Sequence, residues 1–277
     1  MKRIITVIMA SVFSGPLSAS CVEFNTAPQQ GGFIWGRVVP GSEVTLNGKL
    51  LDVLDDGTTF LGFGRNAPGA VNLSVRGPAG AGDNCREVLQ VAAREYQIQR
   101  VEGVPAKTVH PPKAQLERIR REAAAVRAAR ADHLLRPDLL NAVLAGFIWP
   151  IEGPVSGVYG SQRYYNGEPG RPHYGVDVAV PQGTVVYAPG AGVVTLAEPN
   201  LFYSGGTIIL DHGYLLSSSF LHLSKVRVNV GDELKAGDII GEVGSTGRAT
   251  GPHLDWRMNW RDQRIDPQLL APAMPKP

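Results

Sequence analysis

The sequence predicts a mainly β protein, with a small β-sandwich at the N-terminal side, a linker helix, and a second β domain after it. Three observations carry this. Residues 22–100 alternate short apolar runs with Gly, Pro, Asn and Asp turns at even spacing. Residues 147–272 are again β-rich and glycine-punctuated. Between them, Leu116, Ile119, Ala123 and Val126 recur at helical spacing. A length of 277 residues suits two domains. A composition of 43% hydrophobic and 19% charged residues suits a soluble globular chain with a real core. The net charge of +2 gives no nucleic-acid footprint.

Residues 1–20 read as a secretory signal. Lys2 and Arg3 supply the positive start, Ile4 to Phe13 a short apolar run, and Ser18-Ala19-Ser20 the small residues for cleavage. The run is too short to span a bilayer, and no transmembrane segment is expected in the mature chain. The protein is therefore expected to be exported. Cys21 and Cys85 are the two cysteines, and a disulfide between them fits an oxidising compartment. The rival is a lipid anchor on Cys21. The leucine of Leu17-Ser18-Ala19-Ser20-Cys21 stands one place too far from the cysteine for the usual lipobox, which favours the disulfide.

Residues 21–100 form the expected β-sandwich domain. Its strand candidates include Ile34-Trp35-Gly36-Arg37-Val38-Val39, Thr58-Thr59-Phe60-Leu61-Gly62 and Ala70-Val71-Asn72-Leu73-Ser74-Val75. Asn47-Gly48 and Asp56-Gly57 are hairpin signals. Asp55 and Asp56 read as a solvated turn, and this part reads as a packing, docking or binding module. Residues 101–146 read as a linker with a helix. Pro105, Pro111 and Pro112 break structure, residues 113–136 carry the helix, and Pro137 ends or kinks it. That stretch holds seven Lys/Arg and three acids, net +4. It reads as a solvated face with one packed stripe, with contact to an anionic wall polymer as the alternative. His110 and His133 read as surface or packing residues.

The second domain, residues 147–272, opens at Phe147-Ile148-Trp149-Pro150. Residues 183–188 followed by 192–195 read as a hairpin, and Thr207–Asp211 with Ser218–His222 as paired strands. Three stretches carry chemistry: His173-Tyr174-Gly175-Val176-Asp177, Phe220-Leu221-His222-Leu223, and Thr250-Gly251-Pro252-His253-Leu254-Asp255-Trp256. Three imidazoles and two carboxylates are what a one-zinc hydrolase needs: protein ligands, an open position, and a base or acid beside it. His253 and Asp255, two apart, lie on one face of a strand about 6–7 Å apart. His173 and Asp177, four apart, would be about 13 Å apart on a straight strand, so they share an ion only if the chain bends, which Gly175 makes inexpensive.

These stretches resemble the LytM/lysostaphin-type zinc endopeptidases of peptidoglycan, peptidase family M23. The family shows H-x-G-x-D, then a stretch ending Y-x-H-L, then G-x-S-T-G-x-x-T-G-P-H-L-H. Here they read His173 to Asp177, Phe220 to Leu223, and Gly244-Ser245-Thr246-Gly247-Arg248-Ala249-Thr250-Gly251-Pro252-His253-Leu254-Asp255. The resemblance covers roughly residues 147–272. It implies a LytM-type barrel-sandwich hybrid fold, to which residues 228–241 are similar. It implies Zn2+ held by His173, Asp177 and Asp255, catalytic roles for His222 and His253, and peptidoglycan as substrate. It assigns His212, before Gly213, a structural part.

The chain departs from the pattern at Asp255, where the family has a histidine ligand, and at Phe220 and Ser218. Two carboxylates and one imidazole would leave a bound Zn2+ with no net positive charge, which weakens a Lewis acid. Two functions follow. One is a zinc endopeptidase cutting peptide crosslinks of peptidoglycan. The other is a catalytically degenerate module that binds cell wall or regulates a partner wall hydrolase.

Overall fold

The computed structural model describes residues 20–79, 84–101, 113–165 and 167–275. The expected signal segment lies outside the described residues except for Ser20, and so do Pro105, His110, Pro111 and Pro112 of the linker. The fold is mainly β with short helices, as the sequence predicts.

The N-terminal part is two antiparallel sheets. Glu23–Phe24, Phe33–Arg37 and Thr58–Gly62 make one, and Lys49–Leu50, Glu43–Leu46, Ala70–Arg76 and Asn84–Gln90 the other. Ala70–Arg76 shows the period of two that one buried face imposes: Val71, Leu73 and Val75 point inward, while Ala70, Asn72 and Arg76 are not buried. Asn47 and Gly48 both take the left-handed conformation, with φ of 50° and 77°, as a two-residue Asn-Gly hairpin requires. Cys21 and Cys85 form a disulfide that ties the N-terminal edge of one sheet to the last strand of the other.

Every residue of Thr58–Gly62 is buried, so this strand is covered on both faces. On its outer side Phe60 meets the edges of Tyr214 and Trp260 at centroid distances of 5.6 and 6.4 Å, and Phe33 meets Trp260 at 6.2 Å. Burial of one such ring is worth about 2–3 kcal/mol. One cluster of buried apolar residues accordingly runs from Ile34, Phe60 and Leu73 through Trp260 to Ile208, Val243 and Trp256. The N-terminal sheets thus pack directly on the second β-rich part. Arg65 Nε reaches the carbonyl of Gly160 at 2.7 Å, and Arg261 Nη2 pairs with Asp52 at 2.9 Å.

The linker helix runs Leu116–Ala128, shorter than the expected 113–136. None of its residues is buried; of the expected stripe Leu116, Ile119, Ala123 and Val126, Val126 packs against Leu196, Leu201 and Ile209 together with Ala129 just past the helix, while Ala123 is exposed. Pro137 does not end this helix. It stands at the start of a second one, Pro137–Leu144, where its fixed φ and missing N–H suit the first turn.

The second β-rich part is a ten-stranded sheet. Along its main path lie Glu233–Leu234, Gly192–Leu201, Gly205–Asp211, Leu216–Val226, Leu254–Trp260, Val176–Val178 and Val155–Gly157. The pairing of Gly205–Asp211 with Leu216–Val226 is as expected. The expected hairpin of residues 183–188 with 192–195 does not form. Val185–Tyr187 pairs with Ile239–Val243, and Gly192–Leu201 pairs with Gly205–Asp211 and Glu233–Leu234. Adjacent apolar runs leave pairing open, and the burial of Val186 and Val194 in the shared core decides it.

Leu216–Val226 is the branch strand. Up to Leu221 it pairs with Leu254–Trp260, and from Leu223 onward with Ile239–Val243. His222 sits at the switch.

Candidate metal centre

Strand register puts the two carboxylates side by side. Asp177 on Val176–Val178 lies opposite Asp255 on Leu254–Trp260, and Gly157 lies opposite Asp177 on its other side. Alternation along Leu254–Trp260 sends Leu254, Trp256, Met258 and Trp260 into the core, and Asp255, Arg257 and Asn259 to the other face. His173 stands before the strand, in an irregular segment pinned by its own N–H to Ser161 O (2.9 Å) and by Gly160 N–H to its carbonyl (2.7 Å). The chain does bend, and His173 Nε2 comes within 3.2 Å of Asp177 Oδ1.

Gly175 serves close approach rather than the bend. It is not left-handed, and a Cβ there would meet Asp255 Oδ1 at 2.5 Å, Arg257 Cγ at 2.6 Å and the Trp256 carbonyl at 2.7 Å. Gly157 does the same for the other carboxylate, since its Cβ would meet Asp177 Oδ2 at 2.2 Å.

The donor set fits a metal ion. One ligand atom each from His173, Asp177 and Asp255 lies within 4.8 Å of the others. All three residues are buried, at 7%, 7% and 2% exposure. His173 Nε2 and Asp177 Oδ1 are both buried without a hydrogen-bond partner among the described residues, although such atoms are seldom left unpaired. These two buried atoms face each other, and a proton on the ring or a cation between them would satisfy both. Imidazole nitrogen and carboxylate oxygen are donors that suit zinc.

Two further histidines face this set. His222 donates Nδ1–H to the carbonyl of Thr246 at 2.8 Å, and His253 donates Nδ1–H to the carbonyl of Gly251 at 2.8 Å. A carbonyl only accepts, so each ring keeps its proton on Nδ1 and its lone pair on Nε2. His253 Nε2 lies 3.9 Å from Asp177 Oδ1, and the two rings are 4.8 Å apart. Burial is the main cause that pushes the pKa of His222 down, so its ring is neutral at pH 7.

His222 reaches this face through a backbone departure. On a regular strand the residue after Leu221 would turn to the opposite side, but His222 has φ of 65°. Its N–H goes to Ser204 O at 2.8 Å. The Ser-Thr-Gly stretch is buckled beneath it. Thr246 Oγ1 donates to Leu223 O and accepts from Gly206 N–H, and Gly247 is left-handed where a Cβ would meet Gly205 N at 2.4 Å.

Arg257 is the residue that sequence reading missed. Its Nε lies 2.9 and 3.1 Å from the two Asp255 oxygens, and its Nη2 also binds Oδ2. Its position two after Asp255 on a strand was the signal available. Burial pushes the Asp255 carboxyl up, but the Arg257 guanidinium outweighs burial and holds it below the usual carboxylate range. The charge argument of the sequence changes with it. His173, Asp177 and Asp255 sum to −2, and Arg257 brings the group to −1. That is the charge of a two-histidine, one-aspartate set. A carboxylate has about four lone-pair directions, so the Arg257 fork leaves capacity on Asp255. Arg163 Nη2 lies 3.7 Å from Asp177 Oδ2, on a strand, Gln162–Tyr165, that pairs with Ile98–Val101.

His212 and His133 stand apart. His212 is fully buried, bonded to Ala191 O and Ser218 Oγ, and pushed down to about 4 by burial. His133 lies 3.4 Å from Asp52.

The profile of peptidase family M23 matches residues 171–267. The peptidoglycan DD-endopeptidase ShyA of Vibrio cholerae is 38% identical over 109 residues, which are 38% of this chain and 25% of that protein. The DD-carboxypeptidase/endopeptidase Mpg of Neisseria meningitidis is 37% identical over 107 residues, 39% of this chain and 24% of that protein. The chain thus spans about a quarter of the length of these curated relatives. A crystal structure of a candidate peptidase M23 from Pseudomonas aeruginosa is 31% identical with a TM-score of 0.66, covering 88% of this chain and 95% of its own.

Proposed function

The chain belongs to peptidase family M23, and from that premise we propose that it is a zinc-dependent endopeptidase that hydrolyses peptide crosslinks of bacterial peptidoglycan. The observation that carries this reading is the pair of buried atoms, His173 Nε2 and Asp177 Oδ1, that face each other at 3.2 Å without a hydrogen bond among the described residues, beside two histidines whose tautomers leave the lone pair on Nε2. His173, Asp177 and Asp255 would hold the ion, and Arg257 would set the orientation and effective charge of Asp255. A bound zinc ion would supply a Lewis acid and lower the pKa of water toward about 7.

The protein's own part is proton handling and orientation. One of the His222 and His253 Nε2 atoms takes the proton of the attacking water, and the Nε2–H so formed donates to the oxyanion that develops on the peptide carbonyl before its proton passes to the leaving amine. The carbonyls of Thr246 and Gly251 fix the tautomers for both roles. Burial of His222 keeps it a base at neutral pH. Peptidoglycan as substrate is supported by the Vibrio relative, a peptidoglycan DD-endopeptidase, and an endopeptidase activity also by the DD-carboxypeptidase/endopeptidase of Neisseria. An exported location, in the periplasm or at the wall, is supported by the Cys21–Cys85 disulfide. We further propose residues 147–272 as the peptidase domain, with 21–100 and 101–146 as the β-sandwich and linker.

A second reading has one observation in its favour: the Arg257 fork on Asp255 takes up part of the third ligand and adds a positive charge beside the ion. On that reading the chain is a degenerate module that binds wall or regulates a partner hydrolase. Zinc content of the purified chain, with digestion of isolated peptidoglycan, separates the two. Near-stoichiometric zinc and chelator-sensitive release of cleaved crosslinks is the expected result. A folded chain with neither would leave the degenerate module.

A further inference from the structure

Three guanidiniums from three separate elements meet on the polar face beside the metal centre. Arg257 follows Asp255 on Leu254–Trp260 and is 27% exposed. Directly opposite it on the branch strand is Ser219, and Arg130 Nη2, arriving from the segment after the linker helix, donates to Ser219 Oγ at 2.9 Å. Opposite Asn259 is Arg264, whose Nη1 donates to Asn259 Oδ1 at 2.8 Å. The three are half-buried, neither packed away nor free in solvent.

Among the described residues their charges are only partly balanced, since neither Arg130 nor Arg264 makes an ion pair there. Asp255 is bound to Arg257, whereas Arg130 and Arg264 make their hydrogen bonds to a neutral serine and a neutral asparagine. Arg130 Nε is buried with no hydrogen-bond partner among the described residues. Burial and the positive charges of Arg264 and Arg257 push Arg130 down to about 9, and burial and Arg257 push Arg264 down, so each feels the others. At pH 7 all three remain charged. Such a cluster is satisfied by an anion, and the planar guanidinium fork matches a carboxylate through paired hydrogen bonds.

We propose that Arg130, Arg264 and the outer edge of Arg257 form a carboxylate-binding subsite that selects peptides bearing a free carboxylate next to the scissile bond. This rests on the endopeptidase reading for its placement on the substrate path. It also gives Arg130 a task that separates it from Arg120, Arg121 and Arg127 of the same basic stretch, which are exposed.

The test uses the full chain and two synthetic crosslinked stem peptides, identical except that the carboxylate beside the scissile bond is free in one and a carboxamide in the other. Charge-assisted pairing predicts that the protein favours the free carboxylate by about ten- to hundredfold in kcat/KM. In Arg130→Gln and Arg264→Gln that ratio falls toward one, and Arg130→Lys restores part of it because charge returns without the fork. Equal cleavage of both peptides by the unaltered chain, or a ratio that survives both substitutions, overturns the subsite. If neither peptide is cut, calorimetric binding of the same two peptides decides. Preferential binding of the free carboxylate that Arg130→Gln abolishes keeps the subsite while the peptidase reading falls, and equal binding of the two removes the subsite as well. The comparison in the unaltered chain holds even where a variant fails to fold.

Discussion

Replacing Arg257 by glutamine should weaken the metal-free protein and strengthen its hold on zinc. Asp255 is 3% exposed at its side chain and takes its charge compensation from Arg257. Breaking a buried ion pair by removing one partner costs about 3–5 kcal/mol. Arg257 keeps 27% exposure, which places the loss near the lower end, at about 3 kcal/mol. In a domain of this size that lowers Tm by about 6–12 °C. With zinc present, the ion replaces the guanidinium as counter-charge to Asp255. Removing a unit positive charge from the edge of the site is worth about 1–3 kcal/mol to a cation, or about ten- to hundredfold in affinity. The assays are thermal denaturation in chelator and in zinc, and competition for zinc against a chelator of known affinity. The variant should melt well below the unaltered chain in chelator and recover most of the difference in zinc. A weaker zinc affinity in the variant would show that Arg257 holds Asp255 in place for the ion rather than competing with it, and the charge argument would fail.

Three more outcomes follow from the geometry. Gly175→Ala should displace Asp255 and Arg257, because its Cβ would lie 2.5 Å from Asp255 Oδ1 and 2.7 Å from a backbone carbonyl; the expected loss of zinc affinity is at least tenfold, measured by competition, and unchanged affinity would refute the close-approach account. Asp211 is raised to about 6 by burial, so its unfolded form ionises first as pH rises from about 4, and the carboxyl costs stability above pH 6. Asp211→Asn should therefore gain about 1–3 kcal/mol at pH 7 and almost nothing at pH 3.5 in denaturant titrations, since an amide oxygen still accepts from Gly213 N–H; a loss at pH 7 would refute it. Replacing Cys21 and Cys85 by serine opens a loop with a sequence separation of 64, which chain entropy values at about 4 kcal/mol, and an unchanged denaturation midpoint would show that the Ser20 and Cys21 contacts to Glu87 suffice.

Much of the site was legible because its chemistry sits in short strings. His173, Asp177, His222, His253 and Asp255 were named from three motifs, and the fold brings all five together. Gly175 was flagged for the wrong reason, since a motif shows that a glycine stands there and not which neighbour needs the space. The hairpin of residues 183–195 failed because adjacency in sequence suggested a pairing that core burial overrode. Pro137 was read as a stop, and it is equally suited to be the first residue of the next helix.

The sequence by itself determined the β-rich character, the linker helix and the identities of the candidate ligands, because periodicity and residue type are local properties. Only the tertiary structure decided how those ligands behave. The left-handed turn at His222, the carbonyls of Thr246 and Gly251 that orient two rings, and the Arg257 pairing that restores charge to an aspartate-substituted site all depend on which strands lie side by side. The meeting of Arg130 with Arg257 and Arg264 depends on it too, since Arg130 is more than a hundred positions from the other two and reaches them through Ser219 and the register of Leu216–Val226 with Leu254–Trp260. Electrostatic effects fall with distance in space, not along the sequence, and that is the physical reason the charge of this site could be read only from the fold.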